Sequence, residues 1–164
     1  MSGLPNWHPA LVHFPIALFV SAVAFDLGFH LGANRFKSDW LEPGALLLYV
    51  ASSIMAIAAS IAGQLGANHL LRDADRGLIA AVGEHSDWAF LTTVLFVGLT
   101  VYRLDARARR PARSPSQDLL RSRLGLLAAA LVLACLWQTA SRGGHLVYRL
   151  GLGVAEDSLG SRPH

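Results

Sequence analysis

The sequence predicts an all-α integral membrane protein, a four-helix bundle, and three observations carry that expectation. Hydrophobic residues make up 53% of the 164 and charged residues only 15%, against roughly one quarter charged in soluble domains, and mean hydropathy is +0.41. Four windows, approximately 9–31, 44–67, 86–104 and 124–140, are each long and apolar enough to cross a hydrocarbon core that takes about 20 helical residues. The basic residues are shared unevenly between the segments that join them. One domain over 1–155 and a polar tail over 156–164 follow from this layout.

Charge then sets an expected orientation. Arg35 and Lys37 follow the first window, and Arg103, Arg107, Arg109, Arg110, Arg113, Arg121 and Arg123 lie between the third and fourth, which is nine of the 14 Lys and Arg. Arg72, Arg76, Arg142, Arg149 and Arg162 are on the other side. The positive-inside rule places the nine in the cytoplasm and both termini outside, in the periplasm if the membrane is a bacterial inner one. A topology determinant at anionic head groups explains the arginine-rich segment 107–117 with less than a nucleic-acid surface would, so no nucleic-acid partner is expected. The stretch before Pro9 has no basic n-region and the first apolar run is a full span, so no cleavable signal is expected.

The first window opens on Trp7-His8-Pro9-Ala10-Leu11-Val12-His13-Phe14-Pro15. Pro9 suits the start of a helix. Pro15 removes a bond to the carbonyl of Leu11 and should disturb the helix there. Toward the other end lies Asp26, a costly carboxylate at that depth unless it finds a partner. Arg103 is a candidate, and His30, at i+4, is another. His30 reads as packing or capping rather than as a metal ligand.

The second window carries two ridges of small residues, Ser52, Ala56, Ser60 and Ala59, Gly63, Ala67, which suit the tightly packed centre of a membrane bundle. After it, 77–88 can continue as helix into the third window and set His85 on that helix, the alternative being a cap at Ser86. In the fourth window Cys135 reads as a small core residue. Beyond it, Gly151 and Gly153 suit a tight turn. Trp7, Trp88, Trp137 and Tyr148 fall where an aromatic belt would.

Six of the seven histidines, His8, His13, His69, His85, His145 and His164, belong to the same half or its flanks. At 1.5 Å per residue, His13 stands ~28 Å from Gly32 and His85 ~27 Å from Arg103, while His8 and His145 stand ~36 Å and ~33 Å from Gly32 and Arg123. His13 and His85 are therefore expected at one level on different helices. Two facing imidazoles in a four-helix bundle suit six-coordinate haem b, with Phe14 and Trp88 as wall material and His8 or His145 as a propionate contact. Copper or zinc held by three or four imidazoles with Glu84 or Asp87 is a second reading, and solvated histidines with no metal a third. The matching functions are an electron-transfer subunit working with a quinol or a periplasmic cytochrome, a metal-dependent protein, and a cofactor-free accessory subunit of a respiratory or photosynthetic complex or a homo-oligomer. No nucleophile with a base at helical spacing supports a covalent hydrolase.

The end motifs His8-Pro9-x-x-Val12-His13-Phe14-Pro15-Ile16-Ala17 and Gly143-Gly144-x-Leu146-Val147-Tyr148-x-x-Gly151-x-Gly153-Val154 resemble those of the DUF2231 family of small bacterial membrane proteins, and His85 matches a further histidine of that family. The resemblance covers nearly the whole chain. It implies four helices and an association with respiratory or redox gene neighbourhoods. It leaves position 145 open, and where many relatives end the second span in Gly-x-x-Asp this chain has Gly63-Gln64-Leu65-Gly66.

Overall fold

A computed structural model describes residues 7–31, 40–72, 74–112 and 114–152. Arg35, Lys37, Arg113, Gly153, Arg162, His164 and the tail 156–164 lie outside the described residues, as does the side chain of His69. The described chain is all helical: α1 (His8–Leu11), α2 (His13–Leu31), α3 (Leu41–Leu70), α4 (Arg76–Ala108), a 3-10 turn (Arg110–Ala112) and α5 (Pro115–Tyr148). Four stretches are long and apolar enough to cross a membrane, His8–His30, Leu41–Asn68, Arg76–Ala108 and Ser116–Tyr148.

Local chemistry sets the helix ends. Pro9 sits in the first turn of α1, and the helix is interrupted at Val12, one turn before Pro15, whose ring supplies no N–H to the Leu11 carbonyl. The Asp75 carboxylate accepts from Leu78 N at 2.8 Å and starts α4, so 77–88 does continue into the third span and Ser86 caps nothing. Ser114 and Gln117 form a reciprocal capping box at the start of α5. The helix then runs through Gly143 and Gly144 to Tyr148, and Gly151 turns the chain with φ +68°. Both α4 and α5 outrun the expected windows because hydropathy marks the part of a helix that lipid surrounds, whereas caps fix where the backbone bonds begin.

Neighbouring pairs α2 and α3, α3 and α4, α4 and α5, and α5 and α2 pack together and close the ring. At the centre Phe19 stacks on Phe96 at 4.2 Å and meets Tyr49 edge-on at 5.6 Å, and all three are almost wholly buried. Outside, Leu47, Ile54, Ile61, Leu65, Val101 and Leu127 are exposed, which suits a surface that meets lipid. Ser52, Ala56 and Ala59 of the small-residue ridges are buried. The ridges thus serve this chain's own bundle. Short hydroxyl pairs join the helices: Ser53 with Thr100 at 2.8 Å, Ser60 with Thr93 at 2.9 Å and Thr92 with Thr139 at 2.8 Å, as suits an interior where lipid cannot satisfy polar groups. Cys135 is buried, as its small size led us to expect.

The basic end is laced by ion pairs. Glu42 holds Arg107 at 2.9 Å and Arg110 at 2.7 Å, and Asp105 holds Arg109 at 2.5 Å and Arg121 at 2.8 Å. Partial burial would lower the proton affinity of Arg110, but Glu42 and Asp118 outweigh it and raise the guanidinium above its ordinary value.

Candidate functional site

At the opposite end two histidine rings meet. His8, on α1, and His85, on α4, lie with ring centres 6.4 Å apart and planes at 77°. Each is held by the same backbone device. His8 Nδ1 is 2.8 Å from the carbonyl of Ala59 on α3, and a Cβ on Gly63, four residues further along α3, would fall 2.9 Å from His8 Nδ1 and Cε1. His85 Nδ1 is 3.2 Å from the carbonyl of Thr139 on α5, and a Cβ on Gly143, again four residues along, would fall 3.1 Å from His85 Cε1.

The repetition has a physical cause. A helical carbonyl accepts from the N–H four residues later and keeps a second lone pair, but the side chain at that later position normally covers it. Glycine uncovers it, at a cost of about 1 kcal/mol in helix propensity. A carbonyl can only accept, so each Nδ1 carries the proton and in the neutral ring the lone pair falls on Nε2. A backbone carbonyl behind Nδ1 is the usual support of an imidazole that binds a metal through Nε2.

Around the pair the polar groups are tied down. Arg142 reaches Glu84 at 2.8 Å and the Gln138 side-chain oxygen at 2.7 Å, and its guanidinium lies 4.8 Å from the centre of the Trp88 ring. Gln64 donates to Ser86 Oγ at 2.8 Å. Thr139, whose carbonyl holds His85, has its own hydroxyl on Thr92 and on the carbonyl of Cys135.

The ring brought to His85 from the first span is therefore that of His8. His13 is exposed, with Nδ1 at 2.8 Å from the Pro9 carbonyl of the same span. Counting heights along the axis treats every residue as facing inward, yet five residues turn a helix by about 140° beyond a full turn, so His8 and His13 cannot both face the bundle. Phe14 is 56% exposed, and His145 and Asp87 are exposed as well. Trp88 is half-buried beneath Arg142, and Glu84 is engaged by that same arginine. No group of three or more His, Cys, Asp or Glu placed to hold a metal ion occurs among the described residues.

A second polar centre lies toward the basic end. Asp26, 2% exposed, forms an ion pair with Arg103, which is also buried, and accepts from the Tyr49 hydroxyl at 3.2 Å. His30 Nε2 is 3.4 Å from Asp26 Oδ1 and 3.2 Å from Arg103 Nη2. Both partners expected for Asp26 are in place. The Arg103 guanidinium rests against Gly125 of α5, a contact that sequence reasoning missed. A glycine deep in an apolar helix was the available signal, because it weakens the helix unless something packs on it.

The sequence model of a family described as "Predicted membrane protein (DUF2231)" matches residues 5–156. Comparison with curated proteins and with solved structures finds no match.

Proposed function

Because the chain belongs to the DUF2231 family of membrane proteins, we propose that it is a membrane subunit that holds haem b between His8 and His85 and passes electrons at that end of the bundle. The carrying observation is the pair of rings, each fixed through Nδ1 by a helix carbonyl and each seated on a glycine. The ring centres lie 6.4 Å apart, so His8 and His85 are the residues that would hold the haem. Two ligands complete six-coordinate haem, whereas a closed zinc site takes four, so the donor set favours haem over copper or zinc.

Bound there, haem supplies a reversible one-electron change. The chain's part is to fix both rings in one tautomer through Ala59 and Thr139 and to place the Arg142 cation at the same end for an anionic edge of the ligand. The nine basic residues toward the other end support an orientation with the histidines in the periplasm of a bacterial inner membrane, where a quinol or a periplasmic cytochrome would be the electron partner. The cofactor-free accessory reading draws less support, since its small-residue ridges face inward.

The test is the spectrum of the protein purified from haem-replete cells. Dithionite should produce reduced Soret and alpha bands, His8→Ala and His85→Ala should each abolish them, and His13→Ala should leave them. A preparation without bands, or bands that survive both the His8 and His85 substitutions, overturns the assignment.

A further inference from the structure

His30 Nε2 stands between two groups that make opposite demands on it. Arg103 Nη2, at 3.2 Å, can only donate and so requires a lone pair on that nitrogen. Asp26 Oδ1, at 3.4 Å, can only accept and so requires a proton there. One nitrogen cannot meet both demands at once. We propose that His30 is a proton-binding site that exchanges between these two partners and is reached through water from the basic end of the bundle.

The step is simple. In the neutral ring Nε2 accepts from Arg103. When a water hands over a proton, an Nε2–H bond forms, the Arg103 contact is released, and the new N–H donates to Asp26 Oδ1, while the water's remaining hydroxide is neutralised by a further proton from bulk solvent. Asp26 keeps its charge throughout because Tyr49 and Arg103 still support it.

A route for that water is present. A cavity of about 20 Å³ has Asp26, His30, Tyr49 and Arg103 among its lining residues, and a single water takes roughly 10–15 Å³ on that scale, given two to four polar partners. The same cavity reaches Glu42 from α3 and Arg107 from α4. Among the described residues, Arg110 of the 3-10 turn and Asp118 and Arg121 of α5 are the other charged groups that line it. Glu42 is paired with Arg107 and Arg110, Asp118 with Arg110, and Arg121 with Asp105 beyond the cavity lining, so each of these charges is met by an opposite one.

A purely structural role explains the cluster less well. Tyr49 and Arg103 already satisfy Asp26, and a buried ion pair often gains nothing over well-packed apolar residues, so a third ionisable group adds little to stability. Ionisable residues within a span, as Asp26 and Arg103 are, are functional-site hypotheses by default. The proposal depends neither on haem nor on which way the chain faces.

The experiment is 15N-histidine NMR of the full chain in lipid nanodiscs, with the His30 signal assigned by its loss in His30→Gln. The Nε2 signal should pass from the unprotonated to the protonated form as pH falls through the range of about 8 to 5. At a fixed pH, Asp26→Asn should lower and Arg103→Gln should raise the protonated-to-neutral ratio, each by about tenfold or more. A signal held in one form over the whole range, or displaced in the same sense by both variants, overturns the site; if the variants do not fold, the wild-type titration decides alone. Ala106→Leu, at the cavity wall, should slow exchange of the His30 proton with D2O, and unchanged exchange overturns the water route.

Discussion

The two ends of this bundle solve one problem in different ways. At both, a large polar side chain crosses to a neighbouring helix and lies on a glycine: His8 on Gly63, His85 on Gly143, Arg103 on Gly125. At the Asp26 end the partners are side chains, a guanidinium and a phenol hydroxyl that meet one buried carboxylate. At the histidine end the partners that hold Nδ1 are backbone carbonyls, one from α3 and one from α5. Bonding among side chains ties the first end's proton site to the stability of the bundle, and bonding to backbone gives each ring of the second the fixed tautomer that the proposed ligation needs.

The largest effect should come from breaking the charged end. Asp26→Ala leaves Arg103 buried without its counter-charge and should destabilise the protein by about 3–5 kcal/mol, read from unfolding in mixed micelles. The double change Asp26→Leu with Arg103→Met should recover most of that, since apolar residues of similar volume commonly replace a buried pair without loss. If His85→Ala proves as damaging as Asp26→Ala, the contrast between the ends fails.

The glycines sharpen the comparison at intermediate size. At Gly125 an added Cβ would come within 3.2 Å of Arg103 Cζ and 3.3 Å of its Cδ, and Arg103 is pinned by Asp26. Overpacking of about 1–3 kcal/mol, less about 1 kcal/mol of helix propensity gained, should leave Gly125→Ala net destabilised. At Gly63 the obstructing ring belongs to α1, a single turn of helix that can give way, so the same propensity gain should nearly cancel the strain. Gly63→Ala should therefore melt close to wild type while its His8 ring leaves the Ala59 carbonyl, visible as loss of any signal assigned to the histidine pair. Equal melting losses at Gly63 and Gly125 would mean that both ends are structural.

Much of this was legible in the sequence, and the misses share a cause. The four spans, the Asp26 partners Arg103 and His30, and the inward small-residue ridges follow from composition and from i, i+4 spacing, both one-dimensional properties. Which imidazole of the first span reaches His85 depends on the angle around the helix, and height alone led to His13. Gly63 was legible as part of a small-residue ridge but not as the seat of a ring, because that role depends on a residue more than fifty positions away. The true ends of α4 and α5 depend on Asp75 and on the Ser114 capping box rather than on hydropathy.

The smallest expected difference is the one that separates the two candidate histidines of the first span. His8 joins α1 to the Ala59 carbonyl of α3, and removing a hydrogen bond of that kind costs about 1 kcal/mol. His13 is exposed and bonds only within its own span, to Pro9, so His13→Ala should stay within about 0.5 kcal/mol of wild type. Melting of the two alanine variants side by side measures this directly. Were the order reversed, α1 would owe its position to His13, the seat on Gly63 would be incidental, and the pairing of His8 with His85 would lose its geometric basis.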